Sequence, residues 1–199
     1  IVPKEHGAWA ALYGAFAVGI GVAGRVTVPA LLLLAAVTLL AFANGPLTSI
    51  LRPPAGRVPI GDRRRAMVWL GIYTAGACVC ILPLLVAHRM TFLLLFGGGA
   101  VVFLALRGLF VRARGDRSLT GELVGTAGLA MVGPAAHAVA VGGVERVGFL
   151  LWFLLILFFA SGIFYVRMRI RTLLAIRKGE SPVSGRARRL CLGYHVLLL

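Results

Sequence analysis

Long apolar stretches separated by short basic segments account for most of the chain. An α-helix needs about 20 apolar residues to cross the hydrocarbon core of a bilayer, and six of the stretches approach or reach that length. The pattern therefore predicts an all-α fold, a polytopic transmembrane helical bundle in one domain spanning 1–199. The expected helices, about seven with the last one truncated, lie approximately at 7–23, 28–43, 66–87, 90–106, 119–141, 147–166 and from 190 onward.

The composition agrees with a membrane protein and changes how the charge is interpreted. Hydrophobic residues make up 60% of the 199 residues, and the mean hydropathy is +0.95. A formal net charge of +15 could indicate a nucleic-acid partner, but the basic residues lie in short segments between apolar stretches, where topology signals belong. We therefore expect the lipid bilayer as the partner and no nucleic-acid binding.

The distribution of basic residues between alternate segments predicts the orientation in the membrane. Eighteen of the 21 lysines and arginines fall on the side of the N-terminus: one at Lys4, five in 51–65, four in 107–117 and eight in 167–189. The other side holds Arg25, Arg89 and Arg146. Because positive residues accumulate in cytoplasmic loops, the N-terminus is predicted to be cytoplasmic.

Glycine and proline mark the expected interruptions. Asn44-Gly45-Pro46 should end the second helix, and Gly142-Gly143 should turn the chain after the fifth. Gly97-Gly98-Gly99 predicts either a local break in the fourth helix or a very close helix contact. The glycines of the first helix favour a position inside the bundle. The chain stops within an apolar run, so further helices are expected beyond it.

Polar side chains gather at the predicted cytoplasmic ends of several helices. A carboxylate there is either an acid at a helix start, paired with a loop arginine, or a proton-accepting or cation-binding group in a cytoplasm-facing cavity. Arg167 and Arg171 share one helical face and could hold the phosphate of an anionic lipid or a diphosphate. The candidate polar cavity consists of Lys4, Glu5, His6, Asn44 and Glu122.

His137 lies apart from this cluster. Fifteen residues separate it from Glu122, about 22 Å along a helix, so the two cannot share one site. A packed, hydrogen-bonded histidine is the simpler interpretation, and a haem or metal ligand is the other. Haem would need a second histidine at matching depth, and two pairings stay open: His88 with His137, and His6 with His195. No cofactor is assigned from the sequence.

The motif Pro3-Lys4-Glu5-His6-Gly7-Ala8-Trp9 stands at the start of the first apolar stretch. On this motif the chain resembles the YwiC-like family of bacterial membrane proteins, which begin with Pro-Lys-Glu/Gln-His-Gly-Ala-Trp; the helix end Tyr165-Val166-Arg167 matches more loosely. The resemblance implies a multi-pass protein of the bacterial cytoplasmic (inner) membrane and implies no settled molecular function. Trp9 is expected to anchor the helix at the interface, and Gly7 to allow close packing.

A more distant similarity is to membrane prenyltransferases of the UbiA type. These are helical bundles with Asp-rich motifs at the cytoplasmic ends of their second and sixth helices. Asn44-Gly45-Pro46-Leu47-Thr48 stands where the first motif, Asn-Asp-x-x-Asp, would begin, and it has the asparagine without the aspartates. Tyr165-Val166-Arg167-Met168-Arg169 also lacks a carboxylate. Magnesium held against a diphosphate usually needs carboxylate ligands, so the usual chemistry of that family is not expected here.

Two functions therefore stay open, and the sequence does not decide whether the protein is an enzyme. The first is a non-enzymatic membrane protein that binds or moves a small molecule, ion or lipid at the cytoplasm-facing cavity. The second is a divergent UbiA-like transferase acting on a diphosphate lipid, in which Arg167, Arg171 and Lys4 neutralise the diphosphate and Glu122 or Glu5 acts as base. The missing aspartates favour the first.

Overall fold

The computed structural model describes residues 6–51, 60–114, 119–177 and 185–197. Within these ranges the chain is helical apart from short turns, and they contain no β-strand. The prediction of an all-α bundle is confirmed. The helices are α1 (His6–Ala23), α2 (Val28–Leu51), α3 (Ile60–Val86), α4 (Leu93–Arg114), α5 (Leu119–Ala130), α6 (Val132–Val141), α7 (Arg146–Arg177) and α8 (Gly185–Leu197).

Several of these helices are suited to a bilayer by length and composition. Five stretches are long and apolar enough to cross it: Val28–Ile50, Asp62–Val86, Leu93–Phe110, Leu119–Val141, which joins α5 and α6, and Arg146–Leu174. In α1, Gly7–Ala23 forms a shorter apolar helix. Large apolar side chains such as Val79 and Phe158 are each 69% exposed on the outside of the bundle. The chain is a multi-pass membrane protein whose outer surface contacts lipid.

Tight turns reverse the chain between α1 and α2, between α3 and α4, and between α6 and α7. Gly24, Arg89 and Gly142 have φ angles of 67°, 53° and 87°, the left-handed conformation that ends a helix. The N–H groups of Gly142 and Gly143 both donate to the carbonyl of Ala138, at 2.8 and 3.0 Å, so the predicted turn is confirmed. We call the end of the bundle at which α1 begins the proximal end and the opposite end the distal end.

The core is built around α6. Its residues from Gly133 to Ala140 are all buried, and most of them are small. Helices α1, α2 and α7 pack against it. The space that a Cβ on Gly19 of α1 would take is occupied by the carbonyl of Gly133, so the predicted close packing of the first helix is found there. Larger side chains, including Phe16, Leu33 and Leu84, fill the distal layer.

The second helix does not end at Asn44-Gly45-Pro46, and that prediction is wrong. Helix α2 continues to Leu51 with Pro46 inside it, fully buried. The hydroxyl groups of Thr48 and Ser49 both donate to the Gly45 carbonyl, at 2.8 and 3.0 Å. A proline removes one backbone hydrogen bond, whereas ending the helix in apolar surroundings would leave several backbone groups without partners. Continuing the helix is therefore less costly.

The basic segments 51–65, 107–117 and 167–189, which lie outside the predicted helices, are partly helical where the structure describes them. Helix α3 begins at Ile60, so Arg63 lies in its first turn, and α4 and α7 continue to Arg114 and Arg177. Arginine is a good helix former, and its long side chain can extend from the apolar region to the headgroups. These helices therefore continue beyond the ends of their apolar stretches.

One helical pass is interrupted, and the interruption lies near a proline and not at the three successive glycines. The segment predicted as one helix at 119–141 is divided at Met131 into α5 and α6. Its cause is Pro134, because a proline ring collides with the carbonyl four residues earlier, that of Ala130, where α5 ends. The three glycines at 97–99 leave α4 unbroken. The alternative, a close contact, occurs at Gly99, where a Cβ would collide with the side chain of Met131.

Candidate functional site

An ion pair between α5 and α7 joins two of the predicted site residues. Arg167 donates from Nε to Oε2 of Glu122 at 2.8 Å and from Nη2 to Oε1 at 3.2 Å, the fork geometry that arginine forms with carboxylates. Glu122 lies in the first turn of α5, where the helix dipole favours an acid. The exposed fractions of the two side chains are 25% for Arg167 and 37% for Glu122. Glu122 is thus held by an arginine of a neighbouring helix.

Arg171 lies one helical turn beyond Arg167 at the same small cleft. The cleft encloses about 50 Å³ and is lined by Leu119 of α5, Leu190 of α8 and four residues of α7: Phe164, Arg167, Met168 and Arg171. Arg171 is exposed and forms no ion pair within the ranges that the structure describes. Two arginines therefore line one cleft, and of these Arg167 is paired with Glu122.

The other predicted cavity residues are not brought to this pair in the described structure. Asn44 is half-buried on α2, and its side chain forms no hydrogen bond within the described ranges. Lys4 and Glu5 lie outside the described residues, and for His6 only its place at the start of α1 is described. Gly7 has no described atom within 4 Å of where its Cβ would be, so the expected close packing is not found there.

Trp9, the last residue of the N-terminal motif, begins a ladder of aromatic rings. Its ring stacks on Tyr13 and contacts Phe42 of α2, with centroids 5.8 and 4.9 Å apart. Phe42 stacks on Tyr73 of α3 at 5.6 Å, and Tyr73 on Trp69 at 5.5 Å. The ladder ties α1, α2 and α3 together near the proximal end. The signal that could have revealed it is the presence of aromatic residues at matching depth in three helices.

His137 is buried in the distal half of α6 without the hydrogen bonds that were expected. The residue is 3% exposed, and its buried Nδ1 has no hydrogen-bond partner among the described atoms. Its Nε2 lies 3.8 Å from Oε2 of Glu145, which is too far for a direct hydrogen bond. The expectation of a packed histidine is right about burial and wrong about hydrogen bonding.

A cavity of about 270 Å³ adjoins His137 between α4, α6 and α7. Its aromatic walls are Phe96, Phe103, Phe149 and Trp152, and its charged or titratable lining groups are His137 and Glu145. Trp152 is fixed because its Nε1 donates to the carbonyl of Ala127 at 3.0 Å. An apolar cavity with a few polar groups is the usual form of a small-molecule site. One feature of the sequence could have indicated this site: Glu145 is a single acidic residue between two apolar stretches.

The described residues contain no group of three or more His, Cys, Asp or Glu side chains that could hold a metal ion. Nδ1 of His195 lies 2.7 Å from the carbonyl of Cys191 within α8, and His88 is exposed in the distal turn. The two histidine pairings considered for haem therefore stay predictions.

A comparison with family models decides the classification. The model described as YwiC-like protein matches residues 2–137, more than half of the chain. The chain belongs to the YwiC-like protein family. The match runs from the N-terminal motif to His137, so Glu145, Arg167 and Arg171 of this YwiC-like protein lie outside the matched part of the chain. No curated protein and no solved structure matches the chain. The similarity to UbiA-type prenyltransferases is not supported.

Proposed function

We propose that this YwiC-like protein is a non-enzymatic protein of the bacterial inner membrane, with a cytoplasmic N-terminus, that binds a phosphate group at the proximal end of the bundle. The phosphate belongs to an anionic lipid or to a small molecule. The observation that carries the proposal is the placement of Arg167 and Arg171 at one cleft between α5, α7 and α8. The predicted cavity residues Lys4, Glu5, His6 and Asn44 are kept in this proposal as further candidate groups.

The chemistry of the two arginines supports a phosphate ligand. Residues four apart lie on one face of a helix, so Arg167 and Arg171 can contact the same group. A guanidinium group donates two parallel hydrogen bonds to phosphate oxygens, and arginine is the preferred residue for that geometry. The span Arg146–Leu174 has 29 residues, about 44 Å along a helix and longer than the ~30 Å hydrocarbon core, which favours placement of its arginine-bearing end among lipid headgroups.

Glu122 has a defined part in this proposal. Its carboxylate neutralises and orients Arg167 when no ligand is bound. An incoming phosphate must share Arg167 with Glu122, which weakens the binding of any anion. Because the two arginines and Glu122 together still carry a charge of +1, a doubly charged phosphomonoester should bind more tightly than a singly charged phosphodiester. Since Arg167 engages both Glu122 oxygens, the geometry favours binding over a transferase in which Glu122 acts as base.

The test is titration of the purified full chain with phosphatidic acid, followed by native mass spectrometry. Arg171→Gln should weaken binding about tenfold, the usual loss for one hydrogen bond to a charged group. Arg169→Gln is the matched control, because Arg169 is exposed on the same helix and does not line the cleft. Glu122→Gln should strengthen binding several-fold by removing the competing charge.

The outcomes separate specific binding from general attraction to a basic surface. Equal losses for Arg169→Gln and Arg171→Gln would mean that only overall charge matters and would contradict the proposal. Weaker binding by Glu122→Gln would also contradict it. Inorganic phosphate and phosphatidylcholine are included as competitors: displacement by inorganic phosphate indicates a small-molecule site, and resistance to both indicates a lipid phosphomonoester.

A further inference from the structure

We infer that the cavity beside His137, the distal cavity, binds a lipophilic phenol. The hydroxyl group of the phenol is held between His137 and Glu145, and its ring lies against the aromatic walls. The site is separate from the proximal cleft, since His137 lies in the distal half of α6 and Glu145 lies in the turn before α7. The inference does not depend on the proposed function.

The environment of His137 determines which ring nitrogen carries the hydrogen. A neutral imidazole has one N–H group and one acceptor nitrogen. A hydrogen on Nδ1 would be a buried donor without an acceptor, because no described group lies within reach of that atom. A hydrogen on Nε2 instead lies toward the carboxylate of Glu145. His137 therefore presents an Nε2–H donor to a carboxylate acceptor.

The distance between these two groups leaves room for one hydroxyl oxygen. Nε2 and Oε2 are 3.8 Å apart, beyond the range of a direct hydrogen bond. An oxygen about 2.8 Å from each can lie between them, accepting from His137 and donating to Glu145. A hydroxyl group does both, whereas an ether or a carbonyl only accepts and an ammonium group only donates. Of these head groups, only a hydroxyl therefore bridges the pair.

The rest of the cavity selects an aromatic, lipophilic body. Its volume of about 270 Å³ is near the lower end of the ~300–1,000 Å³ typical of small-molecule sites, which suits one substituted ring. Four aromatic side chains provide edge and face contacts for such a ring. Leu95 and Phe149 also line the cavity, and they are 60% and 55% exposed on the outer surface of the bundle. The cavity thus opens toward lipid, where an alkyl tail can extend.

The experiment uses the full chain with ¹⁵N-labelled histidine in nanodiscs, titrated with 4-pentylphenol and separately with 4-pentylanisole. The anisole has the same ring and tail but lacks the hydroxyl hydrogen. The chain has 4 histidines, and the resonance of His137 is assigned by its loss in His137→Phe. We expect the phenol to shift the Nε2 resonance of His137 in a saturable manner, and the anisole, which cannot donate to Glu145, to need an about tenfold higher concentration for the same shift.

A second variant keeps the test decisive if His137→Phe fails to fold. Glu145 is in an exposed turn, so Glu145→Ala should fold, and its affinity for the phenol should fall about tenfold or more. Arg146→Ala, at an exposed neighbour that does not line the cavity, should bind as the unaltered chain does. Equal affinity for both compounds, no shift with either, or unchanged affinity of Glu145→Ala would each overturn the inference.

Discussion

Gly19 of α1 and Gly133 of α6 pack backbone against backbone, so that a Cβ on Gly19 would collide with the carbonyl of Gly133. A Cβ on Gly133 itself would collide with the side chain of Leu155 on α7. Three helices therefore meet at one glycine of the central helix. Such small-residue contacts provide much of the packing energy between membrane helices, because lipid offers no hydrophobic driving force between them.

This contact predicts that Gly19→Ala destabilises the bundle. The added methyl group meets a backbone carbonyl, which cannot rotate away as a flexible side chain can. We expect a loss of about 1–3 kcal/mol, visible as a lower midpoint of thermal unfolding in detergent. Gly21→Ala is the matched control, because no described atom lies within 4 Å of the corresponding position on the same helix. Equal midpoints for the two variants would show that the α1–α6 contact is not tight.

If the Glu122–Arg167 ion pair stabilises the fold, exchanging the two charges should restore the stability that either single charge reversal removes. Arg167→Glu places two carboxylates together, and Glu122→Arg places two guanidinium groups together. Each single variant should lose about 1.5–3 kcal/mol, toward the lower end because both side chains are partly exposed.

The double variant should recover most of that loss in a double-mutant cycle measured by thermal unfolding. Arg169→Glu, on an exposed position of the same helix, provides the control for adding a negative charge to α7. If the two single losses simply add in the double variant, the pair does not contribute to the stability of the fold.

The helical passes could be predicted from the sequence because bilayer thickness fixes how long an apolar stretch must be. Their ends could not be predicted in the same way. Arg63 and Arg114 are as compatible with a helix in the headgroup region as with a loop, and hydropathy does not distinguish the two. Pro46 looked like a stop, but the need to satisfy backbone groups inside the membrane outweighs the loss of one hydrogen bond.

The candidate sites were predictable only in part. The depth of Glu122 followed from its place at a helix start, whereas the identity of its partner, Arg167, depends on which helix packs beside α5. The lack of hydrogen-bond partners for the His137 side chain could not be predicted from the sequence, because it depends on where the neighbouring segments, including the turn that carries Glu145, lie relative to α6. The chemical type of a residue and its depth along a helix can be read from the sequence, but the residues that it contacts depend on how the helices pack.

The side chain of Tyr194 attaches α8 to α7. Its hydroxyl group donates to the carbonyl of Leu157 on α7 at 2.6 Å, and its ring contacts Phe164 at a centroid distance of 4.7 Å. Tyr194→Phe removes the hydrogen bond and keeps the ring. Amide hydrogen exchange in 185–197 should become about fivefold faster, equivalent to ~1 kcal/mol, while exchange in α6 stays the same. Tyr165→Phe, at an exposed position of α7, should change neither, and an unchanged α8 in Tyr194→Phe would contradict the proposed attachment.

The proposed orientation predicts which turns are reachable from outside the cell. With the distal end outside, a cysteine at Gly143→Cys should react with a membrane-impermeant maleimide on intact bacteria, and one at Arg64→Cys only after lysis. The native thiols Cys78, Cys80 and Cys191 are replaced by serine beforehand so that one thiol is read at a time. Gly143 lies in the distal turn and Arg64 is exposed at the start of α3. The reverse labelling pattern would place Arg167 and Arg171 on the outer surface, and their phosphate ligand would then have to come from the outer leaflet or the surrounding medium.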